Sequence, residues 1–185
     1  MTRVAIWCRH KDDNIIGIGP QIPWHVPSDF KRFRRITEEE NVVCGQTTYE
    51  SFPNKTLPNR NIFVLTFDEN YEVSDKDHHF VCNDYRELKK TEEDIYISGG
   101  ASIYKLFFEK LPPEIVVDCV YQGDLKKLEG QPVDITYCVE ELQTKYTKVL
   151  NDYEEDNILT SVYVKKGDFV PYEKIRNIIN KIINS

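Results

Sequence analysis

Nowhere does the sequence hold an apolar run near the roughly 18 residues that a membrane-spanning helix needs. Its opening, Met1-Thr2-Arg3 followed by the short run Val4 to Cys8, lacks the hydrophobic stretch of a secretory signal, so a cytoplasmic protein without membrane contact is expected. CxxC pairs are missing too. The five cysteines (Cys8, Cys44, Cys82, Cys119, Cys138) are odd in number and widely spaced, which argues against a disulfide scaffold and against a zinc site, and they read as small buried hydrophobes. His10, His25, His78 and His79 show no ligand spacing, so no metal is expected. Basic charge is in deficit, 24 Lys+Arg against 31 Asp+Glu for a net charge of −7, which argues against a nonspecific grip on nucleic acid. The sequence contains no repeat, no flexible linker, no Walker loop, no GxGxxG, no GxSxG and no HExxH. With 185 residues, one domain fits and two ordinary ones do not.

What is there alternates. Val4 to Cys8, Val42 to Cys44, Ile62 to Leu65, Ile95 to Ile97 and Ile115 to Val117 are short apolar runs without polar alternation, the signature of strands covered on both faces. Helical patterns lie between them: Pro27 to Ile36, Thr47 to Phe52, Asn83 to Lys90 with Asn83 as N-cap, and Ser102 to Phe108. Strand and helix in alternation predict an α/β fold with a mixed, mostly parallel sheet and helices on both faces. Tyr146 to Leu150 and Leu159 to Lys165 suggest an antiparallel edge added at the end, and Gln122 to Glu141 reads as a long surface loop. Beyond residue 166, Pro171 can open a helix whose Ile175, Ile178, Ile179, Ile182 and Ile183 form one stripe, with Lys174, Arg176 and Lys181 opposite. That tail, residues 167–185, is expected to dock on the body or on a second copy of the chain, with a membrane-surface helix as the alternative.

Three features could carry chemistry. Asp29 lies four residues before Phe33 on the apolar face of its helix, where a carboxylate could sit in a cleft and accept paired N–H donors from a flat heterocycle. A first-turn acid favoured by the helix dipole and still in water is the plainer reading. Upstream, Ile16 to Trp24 has the Gly, Pro and aromatic composition of a flap. Gly45-Gln46-Thr47-Thr48 and Ile97-Ser98-Gly99-Gly100-Ala101-Ser102 each follow a strand and open a helix, so their N–H groups could receive phosphate. Steric need alone explains a glycine in either turn, but two such turns in one sheet favour a dinucleotide.

Taken in order, Ala5-Ile6-Trp7-Cys8, Ile16-Gly17, Ile22-Pro23-Trp24 and Pro27-Ser28-Asp29-Phe30-Lys31-Arg32-Phe33 resemble the opening of dihydrofolate reductase. Gly45 to Ser51 is similar to that family's G-R-x-T-W-E-S turn, Leu57-Pro58-Asn59-Arg60-Asn61 to its L-P-x-R-x-N segment, and Ser98 to Tyr104 to its I-G-G-x-x-x-Y turn. The resemblance spans residues 3 to 165 and implies an eight-stranded sheet with four helices. It also implies hydride transfer from NADPH to C6 of dihydrofolate with protonation of N5, and affinity for antifolate-like molecules. By matching position, Asp29 would hold the pterin and favour proton delivery, while Trp7, Cys8, Phe30, Phe33, Phe52, Leu57 and Ser98 would line the substrate pocket and Arg60 would pair with the glutamate α-carboxylate. Trp24 and the flap would close over the nicotinamide. Cys8, Ile16, Gly17, Gly45, Gln46, Thr47, Thr48, Leu65, Thr66, Gly99, Gly100, Ala101, Ser102, Ile103 and Tyr104 would bind the dinucleotide, with a cis peptide between Gly99 and Gly100.

The departures from the family are specific. Gln46, Phe67, Cys82 and Ser102 fall where the family places cations or a hydroxyl against the 2′-phosphate, so NADH is not excluded. Ser98 stands where an aliphatic residue touches substrate. Asp118 falls where a threonine usually bonds the acid, and it is expected either to turn away or to share a proton with Asp29. These changes motivate an alternative reading, a noncatalytic folate- or nucleotide-binding or assembly protein of the same fold.

Overall fold

The structure, a computed structural model, describes residues 1–184. Ten strands and five helices follow one another as β1 (Arg3–His10), β2 (Ile15–Ile18), α1 (Pro27–Thr37), β3 (Asn41–Gly45), α2 (Gln46–Ser51), β4 (Asn61–Leu65), β5 (His79–Cys82), β6 (Ile95–Ile97), α3 (Ala101–Lys110), β7 (Ile115–Tyr121), β8 (Pro132–Asp134), α4 (Thr136–Lys145), β9 (Tyr146–Glu155), β10 (Ile158–Lys165) and α5 (Tyr172–Ile183). Eight of the strands form one sheet in the order β5-β4-β3-β6-β1-β7-β10-β9. The pairs from β5 through β7 are parallel, and β10 runs antiparallel to both β7 and β9. The antiparallel addition expected from the sequence is therefore β10, with β9 outside it.

The short apolar runs end up buried because helices cover both faces. Ala5, Trp7, Val43, Ile97 and Val116 pack with α3 and α4 through Tyr104, Phe107, Val139 and Leu142. Val4, Ile6, Ile115, Val117 and Cys119 face α1 and α5 through Val26, Ile36, Ile178 and Ile182. Alternate residues of β1 thus serve two different cores, the period-2 rule of a strand.

Two expectations need correction. Residues 122–141 are not one long loop: they contain β8 and the first turns of α4, whose buried Cys138, Val139 and Leu142 are too few among charged neighbours to show a strong helical stripe. Asn83 is not an N-cap. Asp84 caps a 3-10 helix over Tyr85–Lys90 by accepting from the Arg86 N–H, while the Asn83 amide donates to the Thr66 carbonyl at 2.9 Å.

Helix α5 lies on the chain's own body. Ile178 and Ile182 are fully buried, the Arg35 Nε–H donates to the Lys181 carbonyl at 3.0 Å, and Lys181 Nζ returns a bond to the Ile36 carbonyl at 3.3 Å. Lys174 Nζ sits 2.6 Å from Asp94. Two of the three cations opposite the isoleucine stripe therefore hold the helix to its host, and α1 is clasped on the side away from the cavity described next. No helix among the described residues is long and apolar enough to cross a membrane.

Candidate active site

One cavity of about 1610 Å³ opens beside the carboxyl ends of β1, β3 and β6, where open α/β sheets place ligands. Asp29 reaches it from the first turn of α1, in which Pro27 opens the helix and the acid follows two residues later. Its neighbours are Cys8 of β1, Trp24, Arg32 one helical turn on, and Phe33. The Arg32 guanidinium lies 3.7 Å from Asp29 Oδ1. Burial raises the Asp29 pKa above the ordinary carboxylate value, and Arg32, then Cys8 and Trp24, pull part of that rise back. The cavity acid is therefore poised to hold a proton more readily than an exposed aspartate. Burial likewise pushes the facing thiol of Cys8 well up and that of Cys119 to about 12, so both stay neutral.

The opposite side of the cavity is built from two strand-to-helix turns. Gly45 ends β3 and caps α2, Gly100 caps α3, and neither helix has a side-chain cap, which leaves first-turn N–H groups without intrahelical partners. The two turns are tied by a bond from the Gly45 N–H to the Gly99 carbonyl at 2.8 Å, and the Gly99–Gly100 peptide is cis. Gly99 has φ +106°, and a Cβ at Gly45 would meet Ile103 at 3.0 Å, so these positions require glycine. Tyr104 anchors the second turn by donating to the Ile6 carbonyl at 2.6 Å. Trp7, Cys8, Ile16, Gly17, Phe30, Phe52, Leu57, Leu65, Thr66, Ser98, Ala101 and Ser102 also line the wall, together with Gln46, Thr47, Thr48, Ile103 and Tyr104.

The family model described as dihydrofolate reductase matches residues 3–124. The chain belongs to the dihydrofolate reductase family. Among its relatives, a dihydrofolate reductase of Enterococcus faecium is 30% identical over 125 residues, covering 65% of this chain and 74% of that protein. One of Mycoplasma genitalium is 32% identical over 129 residues, covering 65% and 79%. The solved structure of a dihydrofolate reductase from Enterococcus faecalis, complexed with NADP(H) and RAB-propyl, superposes with a TM-score of 0.71 at 22% identity over 89% of this chain and 96% of the other.

Against the reductase pattern, two residues expected at the site lie elsewhere. Asp118 is not in the cavity wall. It pairs with Trp7 across β1 and β7, and both point away from α1. There Asp118 accepts from Arg9 Nε at 2.8 Å, from Arg9 Nη2 at 2.9 Å and from the Trp7 indole at 2.7 Å. Cys119, one residue on, faces Asp29 instead, because a shift of one along a strand exchanges faces. Asp118 therefore turns away as an ion pair and shares no proton with the acid. Asp118→Asn is expected to leave the pH–rate profile unchanged and to lower unfolding free energy by about 2 kcal/mol, read in a urea titration, since it unpairs a mostly buried guanidinium.

Arg60 also lies outside the cavity wall. Its Nε donates to Thr37 Oγ1 at 2.9 Å, Nη2 to the Arg34 carbonyl at 2.6 Å and Nη1 to the Pro58 carbonyl, so it fastens the end of α1 to the turn before β4.

Sequence reasoning missed the far border of the flap. β2 pairs with β8, the Gly19 N–H donates to the Gln131 carbonyl at 2.9 Å, and the Lys126 N–H donates to the Pro23 carbonyl at 2.8 Å. Val133 and Lys126 enter the cavity wall by this route. Arg32, which no sequence feature singled out, is fully buried in the wall. The register of Phe30 and Phe33 offered a signal for it: residue 32 lies three after Asp29 and so points to the same side.

Proposed function

We propose that this chain reduces 7,8-dihydrofolate to 5,6,7,8-tetrahydrofolate with NADPH, and that Asp29 is the acid that serves the reaction. The observation that carries the reading is a carboxyl with only 17% of its side chain exposed and a raised pKa, sharing one cavity with two glycine turns that lack side-chain caps. A folate offers N–H donors in one plane, which a carboxylate accepts in pairs, and Phe33, Phe52 and Leu57 give the same cavity an apolar wall for its ring.

The turns fit a dinucleotide. The helix starts that follow Gly45 and Gly100, which lack side-chain caps, suit a diphosphate, and with glycine at both positions no side chain covers the backbone there. When bound, NADPH supplies the hydride. Asp29 orients the pterin and holds a proton near N5 more readily than an exposed aspartate would, because burial raises its pKa. Trp24, stacked on Tyr121 with ring centroids 5.1 Å apart, and the flap held by β8 exclude water from that proton and from the transfer.

The test follows loss of reduced-nicotinamide absorbance on adding dihydrofolate, with NADPH and NADH compared because Gln46 and Phe67 line the cavity without a charge. Absence of turnover with both would overturn the reading. Gly45→Ala crowds Ile103 and is expected to raise the KM for NADPH about tenfold with kcat little changed, corresponding to about 1.4 kcal/mol.

A further inference from the structure

Arg32 is among the largest side chains with no exposure at all, and its three nitrogens are treated unequally. Nη2 donates to Glu155 Oε2 at 2.7 Å. Nη1 lies 3.7 Å from Asp29 Oδ1, within ion-pair reach but too far for a hydrogen bond, and both Nη1 and Nε lack a hydrogen-bond partner. Glu155 ends the outermost strand β9, is about one-fifth exposed, and does not line the cavity. A cation buried so completely should be neutralised by close contacts on every side, and here the closer carboxylate belongs to the remote residue.

We propose that Arg32 is a positioning residue whose single charge is divided between Asp29 and Glu155, so that Glu155 tunes the cavity acid from outside the cavity. The proposal rests on the reading of Asp29 as the acid of the reaction.

The surroundings leave few other charges to do this. From β1, Asp29 faces Cys8, and from β7, Cys119; both thiols are neutral. From α3, the Tyr104 hydroxyl is also held neutral and already donates to a carbonyl. Asp118 points to the far face of the sheet and is matched by Arg9. From α1 itself comes Arg32, and through it, from β9, Glu155. Attraction to Arg32 favours the ionised form of Asp29, and the negative charge of Glu155 cancels part of that attraction.

Opposite signs therefore follow for two variants. Arg32→Gln removes the cation and raises the Asp29 pKa by about one unit or more. Glu155→Gln keeps an oxygen for Nη2 but removes the competing charge, so the Asp29 pKa falls. Arg32→Lys keeps the charge and stays near the parent.

The experiment titrates the aspartate carboxyl signals of the full-length protein by carbon-detected NMR without ligand, and in parallel records the pH dependence of turnover with dihydrofolate and NADPH. Opposed displacements in both readouts are the expected result. Should Glu155→Gln leave the carboxyl titration unmoved or raise it, the proposal is overturned; because Glu155 is partly exposed at the sheet edge, that variant decides even if Arg32→Gln does not fold. An inactive parent with opposed carboxyl shifts would sink the role of Asp29 in catalysis while upholding the coupling, so the two failures are distinguishable.

Discussion

Asp29→Asn is expected to reduce the rate of dihydrofolate reduction at neutral pH by about 10²- to 10⁴-fold, the range that a positioned acid contributes, while the protein remains folded. The amide keeps the shape but offers one acceptor where the carboxylate has two, and it carries no proton to give. Stability separates this from unfolding. A raised carboxyl pKa means the folded protein binds that proton more tightly than the unfolded chain, so folding is favoured most below the unfolded value and loses ground as pH rises through the folded one. Replacing Asp29 by a neutral isostere removes that loss, and the melting temperature at pH 7 is expected not to fall. A variant that keeps parental turnover, measured by nicotinamide absorbance, would contradict the role given to this residue.

The double variant Ile178→Ala with Ile182→Ala is expected to destabilise the chain by several kcal/mol. Each fully buried isoleucine cut to alanine costs about 2–5 kcal/mol, and the two lie one helical turn apart, so the sum falls short of additive. Because α5 rests on α1, the loss should reach the cavity: with the outer support gone, the helix that carries Asp29 and Arg32 moves more freely. Urea unfolding of the full chain checks the first part, and an increase in the KM for dihydrofolate ahead of global unfolding checks the second. An unfolding midpoint equal to the parent would mean that the tail does not hold to the body.

Much of this was legible in the sequence, and for identifiable reasons. Strands buried on both faces announce themselves as unbroken apolar runs, so β1, β3, β4, β6 and β7 stood out. Glycine turns after β3 and β6 are written in residue type, because a side chain at Gly45 collides with Ile103. The isoleucine stripe of α5 was equally plain, although its partner was not: periodicity gives a face and not what covers it. Less legible were β2, β5 and β8, short strands that are only partly buried and so lack the unbroken apolar run that marks the equally short β6, and α4, whose buried residues are sparse.

The site was hard to read where a one-residue register decided the outcome, and the sequence left open whether Asp118 turns away. Asp118 and Cys119 differ by a single step along β7, and only the pairing with Trp7 and Cys8 reveals which one looks toward the acid. Arg60 was misread for another reason. Its surroundings, the Pro58 and Arg34 carbonyls and the Thr37 hydroxyl, come from two separate segments, and no local pattern announces that a fork of donors is already committed to them.

The clasp of α5 on the back of α1 has an evolutionary corollary. A small molecule that fills the cavity would meet a wall held by one short helix, and the firmness of that helix is set partly from a tail more than a hundred residues away in the chain. Resistance could thus arise from changes at Lys174, Ile178 or Lys181 that no inhibitor ever touches, and surveys restricted to pocket-lining codons would overlook them.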